Sequence, residues 1–510
     1  MSIALLALVS LLILGLLRLA WRTWRSPLRG IPGPLLSAVS NIPLMLHIMC
    51  GTYTAHTRAL HERYGPVVRI GLNQVSVCDV DSLRRILSSH DFLKGRSYEA
   101  NILPAPTTFS TTSPDVNRAR RRQTGACYTL PNLRLLEPRI VKHGVQELVR
   151  QWDARVARGK PVVNYFYAYH ALAFDVIGEL GYGRSFGLLA SGCTRPTDNV
   201  HRMMELAVLQ GCFPLLRRFT WPVRRHVAAR AELIALAEAA ARRRRQQNTT
   251  EGAKRAAASA ADADILQHLL DARDPATGAP LDGASLVAEL VMLLVAGTDT
   301  TSSTLTWATM HLLHHPHVLQ RLRHALRQRF PSRSAWITYD EARSVPLLTA
   351  VLLESMRLQP AASGYLPRRV PPQGACVLGF DVPHGAEINV AIAASHRDAR
   401  TWRDPHVFCP ERFLSADADV EPQTRDVLAF SSGVRACVGR NLAWIELYTV
   451  LANVLRRYAL VLPEDAPYGP HRCDAAGRPE DIPCATYLTC APRHPHRDCW
   501  VRLVPDEHAD

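Results

Sequence analysis

The stretch Phe430-Ser431-Ser432-Gly433-Val434-Arg435-Ala436-Cys437-Val438-Gly439 decides the reading of this chain. It places a single thiol just ahead of the helical pattern Asn441-Leu442-Ala443-Trp444-Ile445-Glu446. Amide N–H groups and the positive end of a helix dipole gather at such a point, and both favour thiolate over thiol in a cysteine that donates to a metal. Gly433 and Gly439 let the backbone approach a flat cofactor closely, and Arg435 is placed to pair with a carboxylate on it. Cys437 is therefore a candidate metal ligand, in a loop that opens with Phe430.

Working outward, the helical pattern from Ser285 carries an apolar run, Leu290 to Ala296, broken by Gly297-Thr298-Asp299-Thr300-Thr301. Glycine and successive β-branched residues form helix poorly, and a threonine hydroxyl can bond the carbonyl four residues back, so local distortion is expected there. Glu354-Ser355-Met356-Arg357 puts two opposite charges three residues apart on one helix face, where they can pair. Pro410-Glu411-Arg412-Phe413 lies between that helix and the cysteine loop. Two further basic stretches flank these segments, Asn117-Arg118-Ala119-Arg120-Arg121-Arg122 and Leu366-Pro367-Arg368.

In order and separation, these segments resemble the cytochrome P450 superfamily, the haem-thiolate monooxygenases. The cysteine loop matches the family's FxxGxRxCxG haem-ligand pattern, the Gly297 segment its oxygen-binding groove, Glu354 to Arg357 its ExxR element, and Pro410 to Phe413 its PERF element. The resemblance implies a mainly α fold with small β-sheets, forming a single large haem domain. It implies haem b as cofactor, Cys437 as the axial iron ligand, and Phe430, Gly433 and Gly439 as parts of the cofactor-binding loop. Arg435 becomes a propionate partner, with Arg121 and Arg368 as further propionate contacts; Asn117 stands where the family often has His or Trp. Glu354, Arg357 and Arg412 become a buried charge triad with a structural role. Thr300 is expected to hold the distal oxygen and water, and Asp299 to relay protons.

The implied activity inserts one atom of O2 into a hydrophobic small molecule, with electrons from NADPH through a separate flavoprotein reductase. A separate reductase fits the chain's lack of a dinucleotide loop of its own. Gly181-Tyr182-Gly183 with Gly187 has its last spacing one residue too long, and no hydrophobic strand precedes it. Two rivals remain: a reductase-independent haem-thiolate isomerase or dehydratase, and a non-catalytic, membrane-bound haem sensor. Asp299 together with Thr300 argues against the isomerase, which needs no proton relay to bound dioxygen.

Length and composition bound the rest. At ~150 residues per domain, 510 residues would suggest roughly three domains, but motifs spread from residue 117 to 439 converge on one cofactor and indicate one. With 47% hydrophobic and 21% charged residues, disordered and collagen-like chains are excluded. The formal charge of +15 suits an anionic membrane surface, haem propionates and an acidic reductase. Arg242 to Arg245 lacks interleaved aromatics and reads as a solvated helix end, not a nucleic-acid patch. The 12 cysteines read as reduced thiols. Cys473, Cys484, Cys490 and Cys499, near His494 and His496, lack the CxxC spacing of a zinc site.

Residues 1–21 read as a transmembrane anchor, because Ser2 to Ala20 supply about the ~20 apolar residues a helix needs to span hydrocarbon. Arg22, Arg25 and Arg29 follow it and place the bulk of the protein in the cytosol. With the resemblance, this gives a single-pass protein of the endoplasmic reticulum membrane, with a basic, proline-rich hinge over residues 22–34 and a haem domain over 35–510. Val67 to Gly71 and Val75 to Cys78 read as a hairpin, the chain beyond about residue 130 as mainly helical, and Val377 to Ile392 and Tyr487 to Thr489 as returning β structure. By family position the substrate pocket draws on Ser97 to Ser113, Leu206 to Trp221, the helix before Ala296, Ala361 to Tyr365 and Leu488 to Thr489, with Ile102, Leu103, Phe109 and Phe213 among its apolar residues. The overall texture resembles fungal members that tailor secondary metabolites.

Overall fold

The computed structural model describes Leu5, Trp21 and residues 23–100, 103–250, 263–414 and 424–506. Its main helices are α1 (Pro114–Thr124), α2 (Tyr165–Gly181), α3 (Arg195–Cys212), α4 (Arg224–Thr250), α5 (Gly283–His314), α6 (Pro346–Leu358) and α7 (Arg440–Arg457). Shorter helices at Ile42–Met49, Tyr53–Tyr64 and Val80–Ser88 show that helical structure begins well before residue 130.

α5 organises the core. Asp282 caps it by accepting the Ser285 N–H at 2.9 Å. Its largely apolar surface packs against α2, α4, α6 and α7, with Leu290, Val291, Leu294, Leu305 and Trp307 fully buried. It is long and apolar enough to cross a membrane, but a helix apolar on most faces also suits the centre of a large domain, where this one lies. Two glycines let α2 and α5 approach closely. A Cβ on Gly297 would sit 2.6 Å from Ile177 Cδ1, and one on Gly181 2.6 Å from Leu293 Cδ2. Gly181, unused as a dinucleotide loop, thus serves helix packing.

The strands are β1 (Val67–Gly71), β2 (Gln74–Val77), β3 (Val162–Asn164), β4 (Pro367–Arg369), β5 (Ala375–Val377), β6 (Phe380–Val382), β7 (Glu387–Val390), β8 (Tyr458–Val461), β9 (Cys484–Thr486), β10 (Cys490–Pro492) and β11 (Trp500–Pro505). The largest sheet runs β1-β2-β7-β4. It begins with the expected hairpin, Val67 facing Val77, and β7 joins β2 in parallel. Tyr487 to Thr489, read from sequence as β, is the turn between β9 and β10, which pair antiparallel.

Residues 1–20, apart from Leu5, lie outside the described residues, and the expected anchor with them. The segment read as a hinge is fastened to the domain from Leu28 onward. Leu28 and Ile31 are buried beside Val67 and Val75, and the Arg69 N–H donates to Pro32 O at 2.7 Å. The arginine run at 242–245 is not wholly solvated either: Arg244 pairs with Asp264, and Arg243 donates to Tyr182 O at 2.6 Å.

Candidate active site

Cys437 sits in a short loop that feeds α7. The loop closes on itself, the Cys437 N–H donating to Phe430 O at 2.9 Å. Arg121 reaches across from α1 and donates to Val434 O at 3.2 Å and Ala436 O at 2.9 Å. The bonds that Arg121 makes therefore brace the cysteine loop, whereas sequence assigned it to a propionate. Gly433 has φ at +60° and a would-be Cβ 2.3 Å from Ser88 Cα, so glycine is also required for the loop to pack on the helix Val80–Ser88. Gly439 has nothing within 4 Å of its would-be Cβ and lines the cavity that Cys437 faces.

The Cys437 side chain is accessible and lines that cavity. Burial pushes its thiol up, and the opposing pull of the Gly439 amide, Arg121 and Arg440 does not overcome it. A helix N-terminus alone thus leaves a thiol here, and a bound metal's charge must supply the remaining drive to thiolate.

Four cations line the same cavity: Lys94, Arg121, Arg368 and Arg435. The sequence reading missed Lys94, one of only four lysines in the chain. Backbone pairing positions it: Arg369 N–H donates to Leu93 O at 2.7 Å and Gly95 N–H to Pro367 O at 2.9 Å, setting Lys94 opposite Arg368 on β4. Its ammonium lies over the Tyr98 and Phe109 rings, 4.2 and 4.0 Å from their centroids. Burial, then the charges of Arg368, Arg435 and Arg121, holds that ammonium well below the ordinary lysine value. Burial and the neighbouring Arg368 and Arg121 likewise lower Arg435 to about 10.

Among the described residues no acid offsets these charges. Arg435 Nη1 and Arg368 Nε are buried without hydrogen-bond partners. The acids on the cavity wall are Glu289 and Glu446. Glu289 accepts Thr108 N–H at 2.6 Å. Burial pushes the Glu446 carboxyl, whose oxygens have no partners, well above its usual range, so it is held neutral. A cavity whose arginines and lysine meet no carboxylate is built for an anionic ligand.

The predicted triad is assembled beneath this cavity. Arg357 Nε and Nη2 donate to Glu354 at 2.7 and 2.8 Å, and Arg412 Nε reaches Glu354 at 3.1 Å. Arg357 also donates to the carbonyls of His396 and Pro405 at 2.7 Å and of Val407 at 3.0 Å. Glu354 and Arg357 are fully buried, so the cluster joins α6 to the segment before the cysteine loop.

On the opposite wall, α5 presents Ala296, Gly297, Thr300, Thr301 and Thr304 to the cavity. Thr300 Oγ donates to Ala296 O at 2.7 Å and Thr304 Oγ to Thr300 O at 2.9 Å, the expected bonding to carbonyls four residues back. The distortion expected at Gly297–Thr301 does not interrupt the helix, which runs unbroken from Gly283 to His314.

Asp299 is not brought to the cavity with Thr300. Adjacent helix residues point about 100° apart, and the Asp299 carboxylate is buried on the far side among His170 of α2 at 3.3 Å, His201 of α3 at 2.9 Å and the Thr489 hydroxyl. Burial opposes its charge, but the two histidine bonds outweigh that and lower its carboxyl. Burial lowers His170; it also works against a charged His201, where the bond to Asp299 prevails and raises the ring. No local motif points to these histidines, which lie 129 and 98 residues from Asp299.

A recess of about 780 Å³ opens beside the cavity and shares Tyr98, Phe109 and Leu366 with it. Ala207, Val208 and Cys212 of α3, Tyr365, Tyr487 and Leu488 line it. Parts of the expected segments 97–113, 206–221, 361–365 and 488–489 meet here, whereas the helix before Ala296 and Ala361 line the cavity of Cys437 instead. Phe213 does not join them and is exposed, Leu103 is buried in the main core, and Ile102 lies outside the described residues.

The family model "Cytochrome P450" matches residues 32–473. The chain belongs to the cytochrome P450 family. It is 34% identical to the cytochrome P450 monooxygenase helB3 of Aspergillus fumigatus over 485 residues, covering 94% of this chain and 93% of that one. It is 31% identical to the cytochrome P450 monooxygenase ABA2 of Pyricularia oryzae, covering 94% and 91%. Its fold matches the crystal structure of a cytochrome P450 heme domain with a TM-score of 0.75 at 20% identity, over 94% of this chain and 98% of that one. As a cytochrome P450 it is an oxygen-incorporating oxidoreductase with haem b as cofactor. The cavity fits that group: a thiol stands on one wall, a row of threonines on the other, and the unpartnered Arg368 and Arg435 at its edge suit the two propionates.

Proposed function

We propose that this cytochrome P450 monooxygenase inserts one oxygen atom into a hydrophobic small molecule, with electrons from NADPH delivered by a separate flavoprotein reductase. The observation that carries the reading is the single cavity in which Cys437, the cation group and the Thr300 wall meet, continuous in its lining with an outward recess. When bound, haem supplies the activation of dioxygen. Cys437 would supply the thiolate that holds the haem iron and lends it electron density. Arg435, Arg368 and Lys94 hold the propionates, while Arg121 fixes the cysteine loop through its carbonyls.

Thr300 supplies a hydroxyl at the cavity wall; freed from Ala296 O, it would be able to donate to a water or an oxygen species held there. Asp299 acts behind that wall, holding the histidine cluster. Met292, Leu293, Ala296, Ala361 and Ile392 keep the substrate end of the cavity apolar and exclude water. The substrate enters past Tyr98 and Phe109.

The protein works at the endoplasmic reticulum membrane with its domain in the cytosol, a reading supported by the apolar run Ser2 to Ala20 and the arginines after it. Its filamentous-fungal relatives support a place in secondary-metabolite tailoring. The test is NADPH oxidation and substrate hydroxylation in membranes carrying this protein with and without a fungal reductase, screened over a panel of hydrophobic small molecules. Reductase-dependent, ¹⁸O2-labelled product is expected. Turnover that needs neither reductase nor O2 would establish the isomerase reading instead.

A further inference from the structure

We propose that His170, His201 and Asp299 form a zinc-type metal site that fastens α3 to α2 and α5 behind the oxygen-side wall of the cavity. Nothing in the monooxygenase reading calls for a metal there. The donor atoms, one from each residue, lie within 4.8 Å of one another. The two histidine nitrogens stand 3.3 and 2.9 Å from the same oxygen, Asp299 Oδ1. Two ligands about 2.0–2.1 Å from a tetrahedral zinc lie about 3.3 Å apart, so the two nitrogen–oxygen spacings suit an ion, toward which the two histidine nitrogens, within 4.8 Å of each other, would close.

The hydrogen-bond directions say what belongs in the centre. His170 Nδ1 is 3.0 Å from Phe166 O, an acceptor only, so Nδ1 carries its proton. A neutral His170 then turns the bare Nε2 lone pair toward a carboxylate oxygen, and two acceptors face each other in a buried site. A cation must lie between them, either a second proton or a metal ion. The outer contacts favour the ion. Metal-bound histidine usually donates its other N–H to a carbonyl, and a ligating carboxylate is usually hydrogen-bonded in turn. His170 has that carbonyl in Phe166, and the Thr489 hydroxyl donates to Asp299 Oδ2, leaving Oδ1 for the ion.

Imidazole nitrogen with one carboxylate is a donor set suited to zinc among the divalent cations. His170 and Asp299 are fully buried, but the His201 side chain is 34% exposed, which gives an ion a way in and a water the fourth position. The consequence is mechanical. His201 lies on α3, and Ala207, Val208, Gly211 and Cys212 further along α3 line the outward recess. An ion tying α3 to α2 and α5 holds one wall of that recess in place.

The test is calorimetric titration of ZnCl2 into chelator-treated, haem-loaded protein, with the thermal midpoint read in parallel. One zinc per chain is expected, with a zinc-dependent rise in midpoint. His201→Ala should weaken that binding about 100-fold or more, and Thr489→Val, which spares all three ligands, about 10–100-fold. The reduced carbon monoxide spectrum of each variant establishes that the haem site is intact. Stoichiometric binding that survives His201→Ala unchanged, or no binding by the unmodified protein, overturns the assignment and leaves a proton between His170 and Asp299.

Discussion

Replacing Arg357 with alanine removes a fully buried guanidinium that donates five hydrogen bonds, two to Glu354 and three to backbone carbonyls. Glu354 then keeps only Arg412 at 3.1 Å and the Cys409 N–H at 2.9 Å. The carbonyls of His396, Pro405 and Val407 lose their donor. Breaking a buried ion pair costs about 3–5 kcal/mol, and each buried carbonyl left bare adds up to about 1–3 kcal/mol unless water reaches it. Arg357→Ala therefore costs about 5 kcal/mol or more, a large share of the ~5–15 kcal/mol that separates folded from unfolded domains.

Glu354→Gln keeps the shape and one acceptor, and Arg357 keeps its three carbonyls, so its cost is about 3 kcal/mol. Arg412→Ala removes one charged hydrogen bond from the edge of the cluster and costs about 1.5–3 kcal/mol. The assay is urea unfolding of each haem-loaded variant by far-ultraviolet circular dichroism, together with haem content per chain. The expected order of loss is Arg357→Ala, Glu354→Gln, Arg412→Ala. An Arg357→Ala protein within about 1 kcal/mol of wild type and full of haem would refute the reasoning.

Three further outcomes follow. Unfolding of the haem-free protein lets Lys94 take up a proton it binds poorly when folded, so stability rises with pH between the depressed folded value and the ordinary ~10.4. Lys94→Met should flatten that rise and stabilise the haem-free protein while speeding haem loss from the loaded one; opposite signs in melts of the two forms check both halves. Gly433→Ala must place a Cβ against the Ser88 backbone at positive φ, so it should cost at least about 2 kcal/mol and deplete haem. Thr300→Ala removes only a hydroxyl bonded to Ala296 O, so the melting point should hold while NADPH consumption diverts from product to peroxide; unchanged coupling would remove Thr300 from the oxygen side.

What was legible in the sequence was whatever local spacing dictates. Glu354 and Arg357 stand three residues apart on one helix, so their pairing follows from helix geometry alone. The cysteine loop carries its chemistry within ten residues, and the hairpin at 67–77 announces itself by alternation and a turn. Placements set by distant contacts were hidden. Lys94 enters the cavity because residues 93–95 lie along β4, more than 270 residues later. Gly433 packs against Ser88, a contact that its own loop does not announce. Asp299 turns from the cavity because α2 and α3 bring histidines to the back of α5. Sequence placed Asp299 next to Thr300 along the chain but could not say which side of the helix would find partners.

The central claim is that Cys437, and no other side chain, ligates the haem iron. The absorption spectrum of the reduced carbon monoxide complex tests it most directly, taken on the unmodified protein and on Cys437→His. A thiolate-type band that changes to the imidazole-ligated type in Cys437→His is predicted. An imidazole-type band in the unmodified protein, or a thiolate-type band that survives the substitution, would contradict the account.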